Sequence, residues 1–150
     1  MKNIIPLLLL FTTLTMYSQN KINYEQRAFE YFRDSILKTK KSKISVVREI
    51  LDIRHILDDT KCLKNYDLEA RDTVASKMVT LPAKVLDFSK DKRLKEGTFH
   101  QESFLIVVGP CSRFEKNGKY IVPVITKNMA GSKKYLIEMD EMGNVKSWCK

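Results

Sequence analysis

The sequence has little of what most catalytic and metal-binding sites are built from. Only two histidines, His55 and His100, occur in 150 residues, and neither stands in a ligand-spacing motif of the kind that holds zinc. His55 with Asp58 and Asp59 is a weak cluster, better read as solvated loop carboxylates beside a histidine. There is no glycine-rich phosphate loop, no serine-nucleophile elbow and no paired-cysteine motif. Nucleotide, acyl-transfer and dithiol chemistry are therefore left without a motif, and no cofactor is implied. The apolar run over residues 4–11 is shorter than the roughly 20 residues a membrane-crossing helix needs.

That run is accounted for by export. Met1, Lys2 and Asn3 supply a positive head, the apolar stretch follows, and residues 12–17 become progressively more polar. Ser18 then offers a small residue before Gln19 and Asn20, although Met16 at the −3 position is larger than the usual preference. Residues 1–18 are read as a cleavable signal peptide and residues 19–150 as a single α+β domain. No cysteine lies in or just after the leader, so there is no site for an N-terminal lipid. The expectation is a periplasmic or secreted protein with no stable membrane anchor after cleavage.

Charge narrows the partners. Lys and Arg number 27 against 18 Asp and Glu, a net charge of +9; Lys2 is the one charged residue of the leader, so +8 remains without it. Export argues against nucleic acid and leaves acidic protein surfaces, anionic glycans or lipid headgroups. The densest basic cluster, Lys38, Lys40, Lys41 and Lys43, supplies the candidate polyanion contacts. It also falls where a helix is expected to end, and cations there favour the helix dipole on their own account.

Asn23 followed by Gln26 has the form of a capping box, and Ala28, Phe29, Phe32, Ile36 and Leu37 recur at helical spacing. A helix is predicted over residues 23–39, its apolar face turned to a core. Residues 44–57 fit either period, and their β-branched content favours a strand over 43–51. Residues 58–95 carry weak signals, read as loop with a short helix. Strands are predicted at 103–108, 119–127, 134–140 and 145–149, joined by turns at Asn117–Gly118, at Gly131 and around Met142, Gly143 and Asn144. Pro123 marks either an edge position or a bulge, because it cannot donate to a ladder.

An N-terminal helix followed by these strands predicts an α+β fold in which the helix packs on a C-terminal antiparallel meander. The arrangement loosely resembles cystatin-like or nuclear-transport-factor-like architecture, a resemblance of layout with no sequence motif behind it. Fold alone does not assign function.

Three cysteines, Cys62, Cys111 and Cys149, permit one intramolecular disulfide. In a simple meander Cys111 and Cys149 would lie at opposite ends of a strand spanning roughly 17 Å, beyond the reach of about 7 Å that a bridge allows. The expected bridge joins Cys62 to Cys111 or to Cys149. A thiol-dependent site would have to combine Cys111 with His100 and Glu102, which requires the chain to return sharply on itself. Asp140 and Glu141 read as turn acids, and Trp148 as an anchor on a sheet face. The reading carried forward is a small exported, non-enzymatic binding or inhibitory domain with a protein partner. The alternative is a small-ligand or polyanion binder using the sheet face or the lysine-rich surface, and third comes a thiol-dependent enzyme.

Overall fold

A computed structural model describes residues 22–38, 44–48, 78–97, 104–115 and 118–150. The expected signal peptide lies outside the described residues. Helix α1 spans Tyr24–Tyr31 and closes in a π-turn over Phe32–Ile36, with Leu37 N–H donating to Phe32 O at 2.8 Å. The Asn23 side chain caps it by accepting from Gln26 N–H at 3.0 Å. Gln26 does not complete the capping box. Its side chain clamps the backbone of Asp87 instead, accepting from the Asp87 amide at 2.8 Å and donating to the Asp87 carbonyl at 3.1 Å.

Eight strands are described: β1 Ile44–Arg48, β2 Met78–Thr80, β3 Leu94–Glu96, β4 Phe104–Val108, β5 Ser112–Phe114, β6 Tyr120–Asn128, β7 Gly131–Met139 and β8 Val145–Cys149. All belong to one mixed sheet. This corrects the predicted helix on an antiparallel meander, and with it the cystatin-like or nuclear-transport-factor-like layout. Strand β1 runs parallel to both β3 and β4, and β4 lies between β1 and β6. Parallel neighbours require a crossover connection, so a meander, in which each strand pairs only with the next, cannot describe this sheet. The unbroken apolar run Phe104–Val108 fits that central place, since a strand covered on both faces has no polar alternation.

Strands β4 and β5 lie on the same side of β6, Val108 facing Val124 and Ser112 facing Ile121. The residues between, 109–111, are three against two on β6, and the extra residue is a bulge. Pro123 resolves accordingly. Its carbonyl accepts from Gly109 N–H at 2.9 Å, and in a strand the carbonyl and nitrogen of one residue face the same neighbour. The missing N–H of this central proline therefore points into the bulge.

The sheet face carrying Val46, Ile106, Val122, Val124 and Ile137 receives Ala28, Phe29 and Phe32 from the helix, and together they form the main core. The opposite face is also apolar, with Leu105, Val107, Ile121 and Leu136 each at most 2% exposed. On β1, Ser45 is fully buried, and among the described residues its Oγ is the one buried side-chain polar atom without a hydrogen-bond partner. An unpaired buried hydroxyl carries its desolvation cost uncompensated. Ser45→Ala should accordingly raise unfolding stability by about 1 kcal/mol, read as a higher urea midpoint; a lowered midpoint would mean the hydroxyl is satisfied in solution.

Candidate functional site

The π-turn decides where the site forms. By widening the last turn of the helix it brings Ile36 and Leu37 beside Phe32, at the end of the sheet where β4 begins and the β6–β7 hairpin turns back. Across that hairpin Thr126 pairs with Lys133 and Asn128 with Gly131. Directly opposed residues share a face, and this is the helix-facing one. A cleft of about 430 Å³ results, within the usual range for small-molecule sites.

Its walls are apolar: Phe32, Ile36, Leu37, Phe104 and Tyr135. Phe32 and Tyr135 meet edge to face, 5.1 Å between centroids, and Tyr135 in turn lies 6.2 Å from the ring of Trp148. Trp148, the single tryptophan, is thus a half-exposed anchor against the cleft wall.

The rim is polar. Thr126 is nearly buried, and its hydroxyl makes no hydrogen bond with any described residue. Asn128 Oδ1 accepts from Ala130 N–H at 2.9 Å, so the carboxamide Nδ2 is its remaining donor. Lys38 and Lys133 stand exposed at the mouth, and neither is ion-paired with a described residue. Two cations over an aromatic-lined hollow suit an anion carrying an apolar body.

Of the predicted polyanion contacts, Lys38 lies on this rim, whereas Lys40, Lys41 and Lys43 lie outside the described residues. The cleft also contains residues that sequence reading missed: Phe104, Thr126, Asn128, Ser132 and Lys133. They belong to three separate strands, and no spacing in the chain announces that a hairpin and a helix end will face each other.

The thiol site does not assemble from what is described. Cys111 is a free, fully buried cysteine whose backbone N–H donates to the Glu25 carboxylate at 3.2 Å. Burial, reinforced by the nearby Glu25 charge, pushes its thiol far above the ordinary value. It stays protonated at neutral pH and supplies no thiolate. His100, Glu102, His55, Asp58 and Asp59 lie outside the described residues, and among the described residues no group of three potential ligands could hold a metal. Cys149 is disulfide-bonded; Cys62 lies outside the described residues.

Asp140 is a turn acid. Its Oδ1 accepts from the amides of Met142 and Asn144 at 3.0 and 2.8 Å, and Lys146 Nζ lies 3.0 Å from Oδ2. The bonds from Asn144, backbone first, hold this carboxyl well below the usual carboxylate range, helped by Lys146. Among the described residues no helix is long and apolar enough to cross a membrane.

No protein-family model, no curated protein and no solved structure matches the chain.

Proposed function

We propose that the protein is an exported, non-enzymatic binding domain that seats its ligand in the cleft between the end of α1 and the β6–β7 hairpin. One observation carries this reading: a hollow of about 430 Å³ with an aromatic and aliphatic lining and a hydrogen-bonding rim, the composition of a recognition site. Export rests on the leader over residues 1–18, and the natively produced chain should have an intact mass that begins near Gln19. In the same non-reducing spectrum, a bridge between Cys62 and Cys149 should leave one alkylatable thiol, that of Cys111.

The cleft is tested with N-phenyl-1-naphthylamine, an uncharged apolar dye. Saturable, one-to-one binding is expected, and Ser132→Trp, which places a large ring in the cleft from an exposed position, should abolish it while leaving the urea midpoint within about 0.5 kcal/mol of the parent. Dye binding that ignores Ser132→Trp would rule this seat out.

A protein partner is the second reading, favoured by Met129. This side chain is 97% exposed at the tip of the β6–β7 hairpin, directly beside the cleft rim. A partner docked there should crosslink from a photoreactive residue at position 129; crosslinking only from remote positions would remove it.

A further inference from the structure

Taking the cleft as the ligand seat, we infer that its ligand is a small monoanionic amphiphile: a compact apolar body bearing one carboxylate, sulfonate or comparable group. This deepens the binding-domain reading and rests on it.

The apolar part is assigned by the walls. Phe32 is fully buried and forms the inner end, Tyr135 is 8% exposed, and Ile36 and Leu37 are half-buried above them. A body of about ten carbon atoms removes its own surface from water there together with what these side chains still expose. Apart from the Tyr135 hydroxyl these walls offer no side-chain hydrogen-bonding group to a sugar or peptide; the other polar side chains lie on the hairpin side and at the mouth.

The charge is assigned by the rim. Lys38 arrives from the end of the π-turn and Lys133 from β7, so the two cations come to the mouth from separate elements. The lysine surface could offer a charge anywhere, but here two lysines without an ion partner among the described residues flank an apolar hollow. Among the described residues no acidic side chain lines the cleft. A cationic ligand would be repelled by both lysines with no described acidic side chain to offset them, and a neutral one would leave the lysines unused. The nearly buried Thr126 hydroxyl and the exposed Asn128 carboxamide add neutral donors on the hairpin side of the rim, able to hydrogen-bond the anionic head beside the lysines. One charge, not a chain of them, fits a single pair of cations beside an apolar floor.

The test compares two dyes that differ in one group. 8-Anilinonaphthalene-1-sulfonate is N-phenyl-1-naphthylamine with a sulfonate added, so the ratio of their affinities isolates the anion. In the full exported chain, Lys38→Ala and Lys133→Ala should each weaken the sulfonate dye about threefold, and the double variant roughly tenfold. The uncharged dye should change less than twofold, and Lys92→Ala, at an exposed lysine away from the cleft, should alter neither. Dodecanoate should displace the sulfonate dye, while dodecyltrimethylammonium should not.

Loss of both dyes in Ser132→Trp with no response to the lysine variants would keep the seat and overturn the anion. Indifference of both dyes to Ser132→Trp would overturn the seat itself. Urea midpoints of all variants separate either result from unfolding, because every substituted side chain is exposed.

Discussion

Phe29→Ala is expected to lower unfolding stability by about 3–5 kcal/mol, the range measured for deleting a large aromatic ring from a closed core. The position leaves little room for a smaller value. Phe29 is fully buried, and its ring meets Phe88 edge-on with centroids 5.7 Å apart. Ala28 and Phe32 flank it on the same helix face, while Leu86 and Phe88 join the same core from the segment clamped by Gln26. Removing the ring therefore opens a cavity between three parts of the chain, the helix, the sheet and the 85–88 segment. Because the helix and the 85–88 segment are pinned to each other through the Gln26–Asp87 hydrogen bonds, they cannot collapse freely to fill it, and the cavity term persists. For a domain whose total stability lies at about 5–15 kcal/mol, this is a fifth of it or more, visible in urea unfolding as a midpoint lowered in the same proportion at constant m-value. Phe29→Leu, which keeps most of the volume, should cost about 1.5 kcal/mol. If the alanine variant lost less than about 1 kcal/mol, the helix could not be the cover of this sheet face.

The same core shows why part of the fold was legible. Helix α1 declares itself through Asn23 at its start and through the spacing of Ala28, Phe29 and Phe32, all of which follow from local geometry. The strand at Ile44–Arg48 declares itself through β-branched residues, and the turns through Gly118, Gly131 and Gly143, whose φ angles are all positive. Sheet order is a different matter. Pairing β1 with β4 joins residues more than fifty positions apart, and no property of either segment states whether the partner runs parallel or antiparallel. Strands β2, β3 and β5 have three residues each, too short for a period; in β2 and β3, Val79, Thr80, Lys95 and Glu96 are exposed, so burial leaves no alternation there either.

The cleft was legible only at Lys38, singled out for belonging to a basic cluster. Lys133 belongs to no such cluster, and Thr126 reads merely as a continuation of an alternating strand. Both acquire meaning from the π-turn, which shortens the expected helix and directs Ile36 and Leu37 toward the hairpin. A π-turn depends on the packing of Phe32 against Tyr135 as much as on its own five residues, and so a site shaped by it has no signature before the fold is known.

Gly143→Ala carries the second large effect, and its size should exceed that of the same substitution at Gly118. Both glycines have positive φ, +74° and +65°, where a Cβ costs roughly 1–2 kcal/mol from backbone sterics alone. Gly118 faces open space, with nothing within 4 Å of an added Cβ. At Gly143 the added atom would sit 2.8 Å from both Arg27 Cδ and Ile22 Cγ2, because the β7–β8 turn is docked on the start of the helix. Tyr24 Oη donates to Glu141 O at 2.8 Å and Arg27 Nη1 to Met142 O at 3.0 Å, while Asp140 braces the turn from within through Asn144 and Lys146. The turn cannot tilt away without giving up these bonds. Arg27 must swing aside, losing a hydrogen bond worth about 1 kcal/mol, and Ile22 must move from its place against the core. The expected loss is about 2–4 kcal/mol for Gly143→Ala against about 1–2 kcal/mol for Gly118→Ala, both read from urea midpoints at constant m-value. The difference between the two isolates the docking contact from the strain they share. Equal losses would mean that the turn stands clear of the helix in solution, and that Arg27 is free to leave it.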